Sequence, residues 1–152
     1  KMGRGGLERV TGAILELLDV GVDVFVNLAQ DHQGGTDERL IPYDADVSHQ
    51  AVIERHPVPD LSTPTIDETV AVLDCIDRHM DSGRTVYVHC LAGVGRTGVI
   101  IGCWLVRHGF AGSADVLATI GQLRHGDIGA GDRTSPQTPE QREMVTKWTK
   151  GK

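Results

Sequence analysis

Lysine is almost missing from this 152-residue chain, standing only at Lys1, Lys147, Lys150 and Lys152. Arginine does not make up the deficit, because 15 Lys and Arg face 21 Asp and Glu, a formal net charge of −6. A body of that sign opposes broad contact with nucleic acid or anionic lipid. Long apolar runs are also lacking; none approaches the ~20 residues that a membrane helix needs. Cysteine is scarce: Cys75, Cys90 and Cys103 are an odd number without zinc spacing, which reads as reduced thiols. The opening Lys1-Met2-Gly3-Arg4-Gly5-Gly6 carries no mark of a signal peptide, so a cytoplasmic protein is expected. Repeats, low-complexity tracts and charge blocks are missing as well.

What is present is a globular composition, 39% hydrophobic and 24% charged, in a length that suits one domain over residues 1–152. Leu7, Val10, Ile14, Leu17 and Leu18 recur at helical spacing, with Gly21 as a stop. Asp23–Leu28 reads as a strand, and Arg39–Tyr43 as a short second one. Thr65 and Glu68 form a capping box after Pro64, opening a helix whose stripe is Ile66, Val70, Leu73, Ile76 and Met80. Thr85–His89 is an apolar run that suits a buried strand. Val99–Val106 is apolar on every side and predicts a helix inside the protein. Ser113 is placed to cap a helix carrying Val116, Leu117, Ile120 and Leu123, and Ser135-Pro136 to start a last helix through about Thr149. Asp31–Thr36 and Gly126–Thr134 are Gly-rich loops within one domain. Strands alternating with helices predict an α/β fold, a central mostly parallel sheet flanked by helices.

The chemistry concentrates in His89-Cys90-Leu91-Ala92-Gly93-Val94-Gly95-Arg96-Thr97-Gly98. A cysteine ends a buried strand, a glycine-rich turn follows, and an arginine opens a helix. Backbone N–H groups in such a turn converge into an anion nest, and the helix adds its positive end. A phosphate-sized dianion suits that cradle, and the Arg96 fork would grip two of its oxygens. The same field lowers the pKa of Cys90 and makes it a thiolate nucleophile. Thr97 can donate a hydroxyl hydrogen bond to that sulfur and ease its departure. His89 is expected to orient the loop through backbone hydrogen bonds.

His89–Gly98 matches H-C-x5-R-[ST]-G and so resembles cysteine-dependent protein tyrosine phosphatases. The surroundings are similar to the compact dual-specificity branch, especially the kinase-associated phosphatases, from about Gly6 to Thr149. The resemblance implies a three-layer phosphotyrosine-phosphatase-like fold, a single catalytic domain and no cofactor or metal. It also implies a first strand that is not evident here, as if the start were trimmed or rearranged. Such an enzyme needs a proton for its leaving oxygen. Asp60 lies between prolines in His56-Pro57-Val58-Pro59-Asp60-Leu61-Ser62-Thr63-Pro64, thirty residues before Cys90, where the family carries its acid. Asp44 and Asp46 are rival acids. Gln137-Thr138-Pro139-Glu140-Gln141 resembles the glutamine loop that positions the hydrolytic water. Gln137, Gln141, Val145 and Trp148 fall on one helix face, and Gln141 carries over more safely than Gln137.

The remaining residues are read as structural or as surface. His32, His49, His56, His79, His108 and His125 share no ligand spacing, so no metal site is expected. Cys75 and Cys103 are core thiols, with a protective disulfide to Cys90 as the lesser alternative. Arg133 is a solvated loop residue, and Trp104 and Trp148 are packing residues. Leu91 and Val94 are apolar where phosphoinositide phosphatases of the superfamily carry lysines. The expected substrate is therefore a phosphorylated protein, tyrosine first, with phosphate, sulfate or vanadate as ligands and no nucleic-acid or membrane partner. The same chemistry on a small metabolite, phosphoinositide or RNA 5′ end is an alternative. A phosphate-binding pseudophosphatase is another; arsenate reductases use a similar loop but need a resolving cysteine in reach, and Cys75 and Cys103 read as too buried for that.

Overall fold

A computed structural model describes residues 13–47, 49–126 and 133–152. Three strands, β1 (Val24–Asn27), β2 (Val52–Arg55) and β3 (Val86–His89), form a parallel sheet in the order β2-β1-β3. β1 is the central strand because all four of its residues can be buried, and they are. Val24 stands opposite Val52 on one side and Val86 on the other. Around the sheet lie α1 (residues 13–19), α2 (Asp44–Val47), α3 (Ile66–Asp81), α4 (Gly95–Arg107), α5 (Val116–Leu123) and α6 (Pro139–Thr146).

Strand alternation divides the core into two layers. Val24, Val26 and Leu28 enter one cluster with Leu73, Ile76, Val99, Ile100, Val116 and Val145. Phe25 points the other way, to Ile14, Val22, Tyr43 and Val47. Helices thus cover both faces of a parallel sheet, the three-layer α/β architecture expected from the pattern. No helix among the described residues is long and apolar enough to cross a membrane.

α4 runs through the protein behind the sheet, as its uniform apolarity requires. Its glycines bring the C-terminal segment against the backbone of this helix. A Cβ at Gly102 would lie 2.6 Å from Val145 Cγ1, and one at Gly98 would lie 2.3 Å from Ser135 Oγ. Residues 133–148 therefore rest on the helix that begins in the cysteine loop.

Several expectations are corrected. Arg39–Tyr43 is not a strand; Pro42 offers no ladder N–H, and the chain turns into α2. The second strand is Val52–Arg55, whose apolar signal is masked because Glu54 and Arg55 carry ion-pair partners. The Thr65–Glu68 capping box is present, but Ile66 and Met80 are exposed. At about 24 Å, α3 is longer than the strands of about 13 Å that it covers. Asp115, not Ser113, precedes α5, and Ser113 Oγ donates to the Trp148 carbonyl at 2.8 Å. Leu123 is exposed.

The last helix starts at Pro139 rather than Ser135-Pro136, a cis peptide, and ends at Thr146 rather than Thr149. A second capping box, Thr138 with Gln141, sets that start, while Ser135 Oγ donates to the Val94 carbonyl at 2.7 Å. Leu7, Val10, the question of a first strand and most of the Gly126–Thr134 loop lie outside the described residues.

Candidate active site

β3 ends at His89, so Cys90 emerges at the carboxyl edge of the parallel sheet and α4 starts five residues later. Crevices at that edge are where open α/β sheets bind ligands. Gly93, at φ +67°, supplies the left-handed turn that curls the loop back toward Cys90. Burial alone would push the Cys90 thiol up. Hydrogen bonds from the Thr97 hydroxyl and amide, the Arg96 charge and the Gly93 amide outweigh it, and the thiol titrates below its ordinary range. Thr97 Oγ1 lies 3.2 Å from Cys90 Sγ.

His89 orients this loop as expected. Its Nδ1 lies 3.1 Å from the Cys90 carbonyl, which can only accept, so Nδ1 carries the proton. Nε2 is then an acceptor and takes the Tyr43 hydroxyl in a short hydrogen bond. Burial first of all lowers the His89 pKa and raises that of Tyr43, keeping the imidazole neutral and the phenol protonated.

Arg96 is 2% exposed and fully engaged at both terminal nitrogens. Nη1 donates to Asp37 Oδ2 at 2.6 Å and to the Val58 carbonyl at 2.8 Å. Nη2 donates to Asp37 Oδ1 at 3.0 Å and to Asp60 Oδ1 at 3.0 Å. Burial opposes ionisation of Asp37, but Arg96 and the Gln30 amide, at 2.8 Å, hold its carboxyl below the usual range. Asp37 was not singled out from the sequence; it follows the Gly-rich run read as a loop. Its one signal is an acid two residues after Gly-Gly, too common a pattern to select.

Asp60 reaches Arg96 from a loop that spans residues 56–64. Its backbone amide donates to Thr36 Oγ1 at 2.9 Å. Leu61 follows at φ +62°, an uncommon conformation for a residue with a side chain. The rivals stay away from the arginine: Asp44 is paired with Arg55 at 2.6 Å, and Asp46 is exposed.

Gln141 is fully buried and joins three parts of the site. Oε1 accepts from the Gln137 and Thr138 amides at 3.0 Å each, and Nε2 donates to the Ser62 carbonyl of the Asp60 loop at 2.9 Å. A Cβ on Gly95 would lie 2.9 Å from Gln141 Oε1, so the carboxamide also presses on the cysteine loop. Gln137 precedes α6 and is exposed, so the two glutamines do not share a helix face. Arg124, another residue that the sequence did not single out, donates to the Gly93 carbonyl at 2.6 Å.

Leu91 and Ala92 are exposed at the loop rim, whereas Val94 is buried in the core. Arg133 is exposed. Trp148 is a packing residue, and Trp104 also donates from Nε1 to Asp77 Oδ1 at 2.8 Å. Cys75, Cys90 and Cys103 are all free thiols, and burial raises the Cys103 pKa to about 12.

A cysteine primed to ionise and an arginine fixed beside it, with a carboxylic acid carried on a separate loop, suit a single phosphate ester. Fold and site together define a cysteine-dependent phosphatase of the compact dual-specificity type. The family model Tc-R-P, described as "Polymorphic toxin system, DSP-PTPase phosphatase", matches residues 2–110, and the chain belongs to that family. The dual specificity protein phosphatase CDC14B of Mus musculus is 34% identical over 88 residues, which is 57% of this chain and 18% of that protein. The crystal structure of kinase associated phosphatase, with serine replacing its catalytic cysteine, superposes with a TM-score of 0.71 at 19% identity. It covers 90% of this chain and 73% of that one. PTPMT1 in complex with PI(5)P superposes with a TM-score of 0.68 at 17% identity, covering 87% of this chain and 79% of that one. At these identities the two structures establish a common fold. The chain spans 33% and 18% of the length of the first two curated relatives it matches.

Proposed function

We propose that this chain hydrolyses phosphate monoesters on proteins, phosphotyrosine first, through a phosphocysteine on Cys90. One observation carries the reading. Thr97 and the Gly93 amide stabilise a thiolate at Cys90, and the neighbouring Arg96 is bonded at 3.0 Å to the carboxylate of Asp60. Nucleophile, anion clamp and proton donor are thus mechanically connected. Asp37 and Val58 take both Nη1 protons, so the incoming phosphate would be met by Nε–H and by the Nη2 proton that Asp60 now holds. A bound dianion would displace the Asp60 carboxylate from Arg96 and leave it free to face the leaving oxygen.

In the first step the Cys90 thiolate attacks phosphorus, the phosphorus–oxygen ester bond breaks, and the Asp60 proton goes to the leaving oxygen. In the second step water attacks the phosphocysteine, Asp60 takes its proton, and sulfur departs as a thiolate held by Thr97. Arg96 and the loop amides stabilise the equatorial oxygens in both steps. Gln141 acts in this scheme as a positioning residue, holding the Asp60 loop through the Ser62 carbonyl. The preference for an aromatic phosphoester rests on Leu91 beside Cys90 and Leu61 beside Asp60, 50% and 55% exposed, which offer apolar flanks to a ring.

PTPMT1 was solved with a phosphoinositide, which makes a lipid phosphate the second substrate to test. The lysine-poor rim argues for the protein substrate. The family description adds a setting, a polymorphic toxin system, in which such a phosphatase would act on phosphoproteins.

p-Nitrophenyl phosphate turnover by wild type, Cys90→Ser and Asp60→Asn tests the chemistry. Phosphotyrosine peptide, phosphoserine peptide and phosphoinositide micelles then rank the substrates. Turnover surviving in Cys90→Ser sinks the mechanism. A wild type that binds vanadate without turning over any ester is a pseudophosphatase.

A further inference from the structure

On the far side of β1 from the cysteine strand, Glu54, His56 and Cys75 place a carboxylate oxygen, an imidazole nitrogen and a sulfur within 4.8 Å of one another. The backbone explains the meeting. Glu54 and His56 are two residues apart on extended chain, so both leave the same face of the sheet edge. Glu54 stands opposite Val26, whose side chain enters the α3–α4 side of the core. α3 covers that face and contributes the buried Cys75 and, one turn later, the buried His79.

His79 orients the carboxylate. Arg84 Nη1 lies 3.2 Å from His79 Nδ1 and can only donate, so Nδ1 accepts and Nε2 carries the proton. That Nε2–H donates to Glu54 Oε1 at 2.7 Å and leaves Glu54 with lone pairs to spare. A positive charge already sits over these donors: Arg78 Nη2 is 3.6 Å from Cys75 Sγ and 3.6 Å from Glu54 Oε1. Its side chain is 65% exposed and can swing away into solvent.

We propose that Glu54, His56 and Cys75 bind a borderline-soft divalent cation, zinc first, with His79 positioning Glu54 and a fourth position open to water. One oxygen, one nitrogen and one sulfur ligand are a zinc donor set, whereas magnesium and calcium do not take sulfur. Zinc bonds of about 2.0–2.3 Å put donors some 3.3–3.8 Å apart, so the three close by about an ångström, within reach of side-chain rotation. His56 also lines a cavity of about 260 Å³ with Pro57, Val58, Pro64 and Glu68. Binding exchanges the Cys75 S–H proton, released to solvent, for a metal–thiolate bond. The site also abuts the catalytic machinery in sequence, since His56 opens the loop that carries Asp60. The histidines share no ligand spacing along the chain because this constellation is spread over a strand edge and a helix.

Titration of the intact chain with Co²⁺ reads the site directly, through thiolate-to-cobalt charge-transfer absorption, with Zn²⁺ as competitor. The band is expected in wild type and in Cys90→Ser, and absent in Cys75→Ser. His56→Asn is expected to weaken binding at least tenfold. Arg78→Ala alters only an exposed side chain and is expected to tighten binding severalfold by removing the competing cation. A band that persists in Cys75→Ser overturns the proposal. So does one that disappears in Cys90→Ser, which would put the metal on the catalytic thiolate. Absence of any band in wild type at excess metal, or weaker binding by Arg78→Ala, overturns it equally.

Discussion

Two carboxylates hold the same guanidinium under opposite conditions. Asp37 is fully buried and takes one proton from each terminal nitrogen of Arg96, whereas the Asp60 side chain is 42% exposed and takes a single proton from Nη2. The first contact lies in the interior and is bidentate, so exchanging it with solvent is costly. The second is at the surface, where an ion pair contributes little net stability. Asp37 therefore fixes the arginine, while Asp60 is held by the arginine until a stronger anion arrives. Geometry that must not move and geometry that must yield are divided between two loops, residues 30–37 and 56–64.

The largest effect is expected at the fixed side. Asp37→Asn keeps the shape but leaves the buried guanidinium with only the partly exposed Asp60 as counter-charge, a loss of about 3–5 kcal/mol, to be measured by urea unfolding. The pH dependence follows the same pair. Arg96 and Gln30 depress the Asp37 pKa in the folded state, so its stabilisation is present above about pH 4, the unfolded value, and is lost as pH falls through the folded one. The variant should lose that acid-sensitive component. Equal stabilities for Asp37→Asn and Asp60→Asn would erase the distinction between the two loops.

On the yielding side, Asp60→Asn should lower kcat by about 10²–10⁴-fold on a substrate with a poor leaving group. Its unfolding free energy should change by less than about 1 kcal/mol. Activity without stability, against stability with activity, is the contrast that identifies which carboxylate does chemistry. A much milder kcat effect on p-nitrophenyl phosphate, whose leaving group needs less help, would confirm protonation as the lost step.

Smaller than either is Thr97→Val, which removes one donor from the Cys90 sulfur. Hydrogen bonds to charged groups are worth about 1.5–3 kcal/mol, or about one to two pH units. Because the Cys90 pKa is lowered by Thr97, its loss should move the acid limb of kcat/KM to higher pH by that amount. An unshifted limb would assign the thiolate's stability to Arg96 and the loop amides instead.

The sequence carried the cysteine loop well because its parts are neighbours. Nucleophile, glycines, arginine and hydroxyl all fall between Cys90 and Thr97, and their order determines their geometry. Asp60 was singled out because its flanking prolines are a local feature and because the resemblance implies an acid about thirty residues before the cysteine. The supports were hidden for the opposite reason. Asp37 meets Arg96 across 59 residues, Arg124 meets Gly93 across 31, and Gln141 meets Ser62 across 79. Each pairing depends on how α4 and α6 stack and on where the loop after β1 folds back. The β2 strand was missed for a related reason: half of its residues are charged, and their partners lie on α2 and α3. Gln141 was picked out correctly as inward-facing, yet its carboxamide is used to cap α6 and tether the Asp60 loop.

The smallest effect tests where the two loops touch. Thr36 precedes Asp37 on the fixed loop and accepts the Asp60 amide at 2.9 Å on the yielding one. Thr36→Val keeps the volume and removes this acceptor, together with the longer contacts of the same hydroxyl to Gln30 Oε1 at 3.3 Å and Asp37 Oδ2 at 3.4 Å. The cost is about 0.5–1.5 kcal/mol for each hydrogen bond lost. If the fixed loop merely carries Asp37, stability falls by that amount and kcat is untouched. If it also sets the height of the acid over the phosphate, kcat falls up to about tenfold while KM for a small ester stays constant, because the clamp on Arg96 is intact. The split between kcat and KM in this one variant decides whether residues 30–37 serve the arginine alone or both halves of the catalytic pair.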